Sequence, residues 1–390
     1  MKAPELFPRR RRRRAPPDTV VFVSLSGWLS GPGRSLATVV KQLPPDLRAV
    51  VACPEKGNLL QAVKAAPGFA GHIALPRRRG QVPDLRSRIE AALVVAKWVV
   101  SNRSRIVVIH ANGLSDLHVV APAAMLSKLP VVAWFHGSEE NTWDRRLGPL
   151  WRRILTNTTF VAVSDVARQR AASSGIADAA VISIIPNPID PDDVLAERDE
   201  TSLANRHEIV VGFLGGGRVG KGFLDLPGVI EKLADEPVTW LVCGERPAGP
   251  ISEEESVAWD RLERAGSDKV RILGHQDDVR TVYAECDVVV TLSKMESFAR
   301  GVAEPMLNGI PVVASDIPAH RERLGDNEAG LLFPCDNPSA AAARIKDLAD
   351  DTVLRRNLGK EGQSRAASYD PVAITARFVA LYDRRSRTTT

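Results

Sequence analysis

Two glutamates separated by seven residues, Glu296 and Glu304, are the side chains of this sequence best spaced to act on one ligand. The residues around them predict a buried strand over 287–292, a turn carrying Glu296, a short helix over about 300–308 and a second strand over 311–314. In an open parallel sheet, ligands bind outside the carboxyl ends of the strands, where the next helix presents free N–H groups. Glu296 is predicted at that edge, and Glu304 about two turns along the helix on a nearby face.

The backbone amides between the two glutamates, those of Ala299, Arg300 and Gly301, are suited to an anion. A ligand bound here would place hydroxyl groups against Glu296 at one end and against Glu304 at the other, with negative charge between them. Sugar nucleotides combine these groups in this order.

The strand and helix that position these residues belong to a pattern that runs through the chain. Short β-branched runs alternate with helical segments, which indicates an α/β protein with doubly wound parallel sheets. Because 390 residues exceed one ordinary core, two domains are expected. The predicted parts are an arm over residues 1–18, a first domain over 19–190, a linker over 191–207, a second domain over 208–370, and a helix with a tail over 371–390.

Composition narrows the class of protein. The sequence is 44% hydrophobic and 25% charged, as in soluble globular proteins. Its apolar runs stay shorter than the roughly 20 residues of a membrane span. The four cysteines lie far apart without the spacing of a zinc site or a disulfide framework. We therefore expect no metal and a reducing, cytoplasmic compartment.

The net charge of +5 comes from six consecutive arginines, of which Arg9 is the first and Arg14 the last, since 5 − 6 leaves −1 for the remaining residues. Two interpretations of this run remain open: a solvated, disordered arm, or peripheral contact with an anionic membrane at its inner face. A specific nucleic-acid site is not expected, because no aromatic or glycine-interleaved basic pattern follows. The apolar run that comes next is too short and interrupted for a signal peptide and predicts a first strand.

A glycine-rich loop follows the predicted first strand of each domain. Gly31 and Gly33 open a helix in the first domain, but Leu36 stands where a dinucleotide-binding loop has its third glycine. In the second domain, residues 215–221 fit the pattern G-x4-G-K of a P-loop. Gly222 then replaces the Ser or Thr whose hydroxyl would hold Mg²⁺, which argues against a P-loop enzyme.

At this point the sequence resembles a known family. The E-x7-E spacing followed by NGIPVVASD is similar to the donor-site signature of retaining glycosyltransferases of the GT-B fold, family 4, the "glycosyl transferases group 1" class. The resemblance covers residues 20–383. It implies two Rossmann-like domains facing across a cleft, and transfer of a sugar from a UDP- or GDP-type donor to an acceptor hydroxyl with retention at the anomeric carbon. It implies no cofactor and no essential metal.

The resemblance also implies roles for single residues. VVAWFHG is similar to the segment whose strand-end histidine reaches the donor sugar, which gives His136 a catalytic role. The loop GGGRVGKG resembles G-R-x4-K-G, in which an arginine and a lysine neutralise the leaving diphosphate. Lys221 matches the lysine, Gly216 stands at the arginine position, and Arg218 is the nearby arginine that could replace it. His110, at the end of another predicted strand, has both a structural and a functional interpretation.

The predicted site therefore has two groups of residues. The resemblance assigns Glu296 to the sugar hydroxyls and Glu304 to the ribose hydroxyls. It assigns Gly31 and Gly33 to the diphosphate and acceptor side. The final helix is expected to cross back onto the first domain. The catalytic residues implied are Glu296, His136 and Lys221, and the donor-binding residues are Arg218, Gly216, Gly31, Gly33, Gly244, Glu245, Gly274, Ala299, Arg300, Gly301 and Glu304.

Two alternatives remain open at the level of sequence. A nucleotide-sugar 2-epimerase uses the same fold, usually with more acidic and histidine residues in its first domain. A non-catalytic sugar-nucleotide-binding partner subunit would explain Gly216 and Ala299, where glycine is common. The acceptor, whether a carbohydrate, a lipid-linked or a small molecule, is not identified by the loops over residues 29–35, 77–84 and 139–150.

Overall fold

A computed structural model describes residues 16–76, 85–137, 156–195, 208–265, 268–276 and 278–386. The first half of the chain forms a 7-stranded sheet and the second half a 6-stranded sheet, and the strands within each sheet pair in parallel. The predicted α/β class with two doubly wound parallel sheets is thus confirmed. The strands read as continuous apolar runs because helices cover both faces of a parallel sheet.

The first sheet has the strand order β3-β2-β1-β4-β5-β6-β7, with Val20 of the central strand opposite Ala49 on one side and Val108 on the other. Its strands are β1 (Thr19–Val23), β2 (Arg48–Pro54), β3 (Phe69–Leu75), β4 (Ile106–Ala111), β5 (Val131–Phe135), β6 (Thr158–Ala162) and β7 (Ser183–Ile184).

The second sheet has the order β10-β9-β8-β11-β12-β13, with Val289 opposite Val312 beside the stretch that carries the two glutamates. Its strands are β8 (Ile209–Phe213), β9 (Val238–Cys243), β10 (Val270–Gly274), β11 (Val288–Thr291), β12 (Val312–Ser315) and β13 (Leu331–Phe333).

Helices connect these strands. Those of the first half are α1 (Gly31–Lys41), α2 (Leu59–Lys64), α3 (Leu85–Asn102), α4 (Leu117–Ser127) and α5 (Asp165–Ser173). Those of the second half are α6 (Leu226–Lys232), α7 (Glu253–Arg264), α8 (Arg280–Glu285), α9 (Arg300–Leu307), α10 (Pro318–Leu324), α11 (Pro338–Asp350), α12 (Thr352–Ala366) and α13 (Pro371–Ser386).

Helix α12 is missing from the sequence-based prediction, which closes the chain with two helices instead of three. Glycines in a helix interior lower helix propensity, and α12 contains Gly359 and Gly362. The structure shows why Gly359 is present: a Cβ there would lie 2.3 Å from the carbonyl oxygen of Gly309. The glycine that weakens the helical pattern therefore allows α12 to pack closely beside the end of α9.

Helix α13 packs on the first sheet, although it follows the second sheet in the chain. Tyr382 of α13 is hydrogen-bonded through its hydroxyl to Nδ1 of His110 on β4, at 2.7 Å. The ring of Phe378 lies 4.6 Å from that of Trp134 on β5. These buried aromatic side chains belong to one apolar cluster that includes both the first sheet and α13.

Several predicted features lie outside the described residues: the arm with Arg9 and Arg14, the loops over 77–84 and 139–150, and residues 196–207 of the linker. Within the described ranges, no helix is both long and apolar enough to cross a membrane.

Candidate active site

A cleft of about 540 Å³ lies between the two halves and receives side chains from both. Many of the predicted site residues line it, including all three of the predicted catalytic residues. These lining residues are Gly31, His136, Lys221, Glu296, Ala299, Arg300, Gly301 and Glu304.

Lys221 and Glu296 are joined directly. Lys221 Nζ donates a hydrogen bond to Glu296 Oε1, and Ser293 Oγ donates to the same oxygen at 3.0 Å. The turn carrying Lys221 reaches the end of β11 because Gly222 has a positive φ of 76° and no side chain. A Cβ at Gly222 would lie 2.1 Å from the carbonyl oxygen of Leu292. A Ser or Thr would clash here, so the hydroxyl that a P-loop needs cannot be supplied at this position.

The turn after Glu296 is fixed by contacts from both halves of the chain. Ser164, the N-cap of α5, donates from Oγ to the carbonyl oxygen of Ser297 at 2.6 Å, and Arg170 donates to Ser297 Oγ at 2.9 Å. On the other side, Arg323 Nε donates to the carbonyl oxygen of Phe298 at 3.0 Å, and its guanidinium lies 4.5 Å from the Phe298 ring. The backbone that presents Glu296 is therefore positioned by the first half of the chain as well as the second.

Helix α9 begins at Arg300, and Ala299 is its N-cap in the left-handed region, with φ 60° and ψ 61°. A non-glycine residue in this region is strained by about 1–2 kcal/mol. The first amides of a helix have no partner within the helix, so those of Arg300 and Gly301 are available at the cleft. Among the described atoms outside the helix, none would lie within 4 Å of a Cβ on Gly301, which leaves room for a ligand here.

Glu304 lies nearer the start of α9 than the sequence predicts. It is the fifth residue of the helix, just over one turn in; the expected two turns correspond to the spacing from Glu296, and residues 296–299 precede the helix. Arg300 Nε donates to its Oε1 at 2.7 Å, and Tyr283 donates to its Oε2 at 3.2 Å. Burial first, and then the charge of Glu304, raise the pKa of Tyr283 well above its usual value, so the hydroxyl remains a donor.

The Arg300 side chain connects Glu304 with the segment between the two halves. Its guanidinium donates to Asp193 Oδ2 at 3.0 Å and to the carbonyl oxygen of Pro188 at 3.2 Å. Arg34, from α1, donates to the other carboxylate oxygen of Asp193 at 3.3 Å. Burial, followed by the charge of Glu304, raises the pKa of Asp193. The side chain of Arg300 is thus occupied, and its contribution to an anion site comes from its amide.

His136 follows β5 and is buried at the cleft wall. Its Nε2 lies 3.3 Å from Asn112 Oδ1, and its ring lies 4.6 Å from that of Trp134. Burial lowers the pKa of His136 to about 3, and the Asn187 side chain partly opposes that shift, so the imidazole is neutral near pH 7. Neither Nδ1 of His136 nor Oδ1 of Asn187 has a hydrogen-bond partner among the described residues. Both side chains line the cleft, where a ligand hydroxyl could satisfy them.

His110 lies away from the cleft. It is fully buried between β4 and α13, where burial first, and then the nearby His136 ring, lower its pKa to about 3. Its bond to Tyr382 identifies it as a structural residue that fastens α13 to the first sheet.

The remaining predicted residues are not among the described residues that line the cleft, so their proposed contact with a donor has no support from this geometry. Gly33 packs within α1, where a Cβ would lie 2.2 Å from the carbonyl oxygen of Trp28. Gly216 and Gly244 approach each other closely, since a Cβ on Gly244 would lie 2.7 Å from Gly216 Cα. The others are Arg218 and Glu245, which are exposed, and Gly274, whose carbonyl accepts a 2.8 Å bond from the Gly244 amide.

Several site residues are not predicted from the sequence. Tyr283, Asn187, Arg34, Arg170, Ser293 and Ser297 line the cleft. Asn187 follows the short strand β7, and a polar residue just beyond a strand end is the signal that could have indicated it. No three His, Cys, Asp or Glu side chains among the described residues are grouped to hold a metal ion.

Behind Glu296, a chain of buried contacts supports Ser293. Ser315 Oγ donates to the carbonyl oxygen of Ser293 at 2.5 Å, and Nδ1 of His320 lies 2.8 Å from the carbonyl oxygen of Ser315. Burial lowers the pKa of His320 to about 4, so it is neutral. Its Nδ1 therefore carries the proton and donates to that carbonyl. Ser293 is held in place to orient Glu296.

Comparison with known proteins identifies the relatives of this chain. The family model "Glycosyl transferases group 1" matches residues 196–365, and "Glycosyltransferase Family 4" matches residues 29–193. The phosphatidyl-myo-inositol mannosyltransferase of Mycobacterium tuberculosis is 27% identical over 78% of this chain and 80% of its own length. That of Mycolicibacterium smegmatis is 28% identical over 78% of this chain and 77% of its own.

Solved structures share the fold at lower identity. HepE of Anabaena, crystallised with UDP and glucose, has a TM-score of 0.75 at 21% identity and covers 94% of this chain and 100% of its own. A glycosyltransferase from Rickettsia africae has a TM-score of 0.79 at 17% identity, over 94% of this chain and 98% of its own.

Proposed function

Because this chain belongs to the group 1 glycosyltransferases of family 4, which have the GT-B fold, we propose that it transfers a sugar from a nucleoside-diphosphate sugar to an acceptor hydroxyl with retention of anomeric configuration. The observation that carries this proposal is one cleft in which the pair of Lys221 and Glu296, the start of α9 and His136 all meet. These groups match the parts of a sugar nucleotide: an anion in the middle and hydroxyls at both ends.

The site must stabilise the opposite charges that develop in the transition state. Breaking the glycosyl–phosphate bond leaves positive charge on the sugar and negative charge on the diphosphate. In our proposal, the diphosphate replaces Glu296 as the partner of Lys221 and accepts hydrogen bonds from the amides of Arg300 and Gly301. Oε1 of Glu296 then accepts a hydrogen bond from a sugar hydroxyl in place of Lys221, while Ser293 Oγ still donates to it and keeps the carboxylate oriented.

The ends of the donor have separate partners. Glu304, held by Tyr283 and Arg300, accepts hydrogen bonds from the ribose hydroxyls. The neutral His136 contacts the sugar from the first domain, and its Nδ1, which has no hydrogen-bond partner among the described residues, accepts a hydrogen bond from a sugar hydroxyl. Contacts to the sugar from both domains require the cleft to be closed, which excludes water and protects the donor from hydrolysis.

Retention is proposed from the composition of the acceptor side. The described cleft residues from the first half are Gly31, Pro32, Arg34, His136, Gly137, Arg170 and Asn187, and none of them is a carboxylate. The acceptor hydroxyl therefore attacks on the face that the diphosphate leaves. Its oxygen bonds to the anomeric carbon, its proton goes to the leaving phosphate oxygen, and that oxygen takes the electron pair of the broken bond. The lack of carboxylates among these described lining residues also disfavours the epimerase alternative.

The relatives suggest which substrates to test first. HepE binds UDP, so UDP-sugars precede GDP-sugars in the panel. The mycobacterial relatives are named for phosphatidyl-myo-inositol, which favours a lipid-linked acceptor over a free carbohydrate or another small molecule. We propose no metal or other cofactor for this reaction.

The test is incubation of the full chain with UDP- and GDP-sugars and with lipid extracts, followed by NMR of the product at the anomeric proton. We expect one donor class to be consumed and the product to keep the anomeric configuration of the donor. An inverted product would rule out the proposed mechanism. Interconversion of donor epimers would instead identify an epimerase, and binding without turnover would identify a non-catalytic partner subunit.

A further inference from the structure

His136 and Glu296 are each followed in the chain by a residue that touches the other half. Gly137 follows His136, and Ser297 follows Glu296. A Cβ on Gly137, whose φ is 78°, would lie 2.2 Å from Ser297 Oγ. The two halves therefore meet one residue away from each of the side chains that we assign to the donor sugar.

The side chain of Arg170 bridges this contact. Its Nη1 donates to the carbonyl oxygen of Gly137 at 3.2 Å and to Ser297 Oγ at 2.9 Å. Arg170 belongs to α5, is half-buried and lines the cleft. Hydrogen bonds from a charged donor are stronger than those between neutral groups. One guanidinium thus holds the backbone after His136 against the residue after Glu296.

The start of α5 strengthens the same contact. Ser164 Oγ accepts a hydrogen bond from the Ala167 amide at 3.0 Å and donates its own proton to the carbonyl oxygen of Ser297 at 2.6 Å. The amide of Asp165 donates to Oε1 of Glu322, on α10, at 3.3 Å. The first amides of a helix have no partner within it, so a carboxylate from the other half is a favourable partner.

Within each half, the backbone at this contact is already held in place. In the second half, the buried Arg323 donates to the carbonyl oxygen of Phe298, and its guanidinium lies 4.5 Å from the Phe298 ring and 5.5 Å from the Tyr369 ring. In the first half, His136 is buried directly after β5. The position of His136 relative to Glu296 therefore depends on the contact between the halves.

We propose that Arg170 is a positioning residue, which aligns His136 with Glu296 across the cleft and thereby keeps water from the donor sugar. The inference rests on the proposed transfer function, whose two sugar-binding residues it connects. Separation of the halves would break the hydrogen bonds of Arg170 and would move the two sugar-binding residues apart. A small misplacement of the reacting groups is enough to slow a reaction, and an open cleft admits water.

The test variant is Arg170→Met, which keeps the length of the side chain and removes the guanidinium. The matched control is Arg168→Met on the same helix, because Arg168 pairs with Asp165 within α5 and is not among the described residues that line the cleft. Steady-state kinetics of the full chain gives kcat and the donor KM. A second assay measures the fraction of consumed donor that is released as free sugar by hydrolysis. Circular dichroism verifies that both variants fold.

We expect Arg170→Met to lower kcat about tenfold with less than about a twofold change in donor KM, since Lys221 and Glu304 still bind the nucleotide. The hydrolysed fraction should rise at least about threefold, because the loosened cleft admits water. Arg170→Lys should recover part of kcat, since its ammonium group can still donate to one of the acceptors. The Arg168→Met control should behave as the wild type in both assays.

A double-mutant cycle with Ser297→Ala separates positioning from direct contact with the substrate. Ser297→Ala removes the acceptor of the Arg170 hydrogen bond, so it should lower kcat in the same way. The combined variant should lose little more than Arg170→Met alone, because both changes break the same interaction. Losses that add up fully would mean that Arg170 acts on the substrate itself, which would overturn the inference.

Small-angle X-ray scattering tests the contact without turnover. With UDP present, Arg170→Met should have a larger radius of gyration than the wild type and the control. A wild type that transfers no sugar would refute the proposed function alone, and scattering would still test the role of Arg170. Two further results would overturn that role: an unchanged radius of gyration together with wild-type hydrolysis in Arg170→Met, or equal losses of kcat in Arg170→Met and Arg168→Met.

Discussion

Lys221 Nζ is hydrogen-bonded to Glu296 Oε1 although the two residues are 75 positions apart in the chain. The close approach of Gly222 to Leu292 brings them together. This pair places a cation and a carboxylate at the same edge of the second sheet. A donor diphosphate that binds to Lys221 must therefore displace Glu296 from it.

Lys221→Ala and Glu296→Ala should each lower kcat at least tenfold, a loss of at least about 1.4 kcal/mol of transition-state stabilisation. Lys221 neutralises the leaving diphosphate, and Glu296 holds the sugar as charge develops. Steady-state kinetics at saturating donor measures the change. Lys294→Ala is the control, because Lys294 pairs with Asp225 and Asp336 and does not line the cleft. Near-normal turnover of both test variants would refute the site assignment.

Arg218→Ala should reduce kcat/KM for the donor much less than Lys221→Ala does. Arg218 is exposed and is not among the described lining residues, whereas Lys221 is. The measurement is kcat/KM for the donor in the two variants, determined over the same range of donor concentrations. Equal losses would mean that Arg218 moves into the cleft when a donor binds. It would then replace the arginine that the family has at the position of Gly216.

Tyr283→Phe should raise the donor KM about fivefold with little change in kcat, because it removes one hydrogen bond of about 1 kcal/mol to the carboxylate that orients the ribose. Tyr283 donates to Glu304 Oε2 at 3.2 Å. Tyr382→Phe is the matched control, since it removes a buried hydroxyl that contacts His110 instead. If both variants keep the wild-type KM, Glu304 does not bind the donor in the way proposed.

The stability of the protein should fall as the pH decreases from about 6.5 toward 3, in part through His110. Burial lowers the pKa of His110 to about 3 in the folded state, while the unfolded side chain titrates near 6.5. The unfolded state therefore binds the proton first, and the stabilisation present above pH 6.5 is lost at up to about 1.4 kcal/mol per pH unit.

Urea unfolding of the wild type and of His110→Gln tests this dependence. The variant should be less stable than the wild type at pH 8, and the difference should shrink at pH 5 because the variant has lost that titration. A difference that stays constant with pH would show that His110 does not contribute to the acid sensitivity. His136 and His320 are lowered in the same direction, so some pH dependence should remain in the variant.

Much of the site follows from local sequence patterns. Glu296, the amides at the start of α9 and His136 all stand at strand ends or at a helix start, and such positions can be located from short apolar runs and turns. The fold class can be predicted for the same reason, because most of the parallel strands are short apolar runs that alternate with helical segments.

The residues that escaped prediction act through contacts distant in sequence. Tyr283 meets Glu304 from another helix, and the Arg300 side chain reaches Asp193 across 107 positions. The backbone of Gly309 leaves no room for a side chain at position 359. The sequence of α12 itself does not indicate this contact. Spacing along the chain does not encode these distances, so a sequence-based prediction assigns such residues to ordinary helix positions.

The docking of α13 on the first sheet has a consequence for synthesis on the ribosome. His110 and Tyr382 are 272 positions apart, so α13 cannot cover the aromatic surface formed by β4 and β5 until residue 382 has been translated. A nascent chain with a finished first sheet still exposes that surface to water and to chaperones. The buried core of the first half is therefore complete only after α13 has left the exit tunnel.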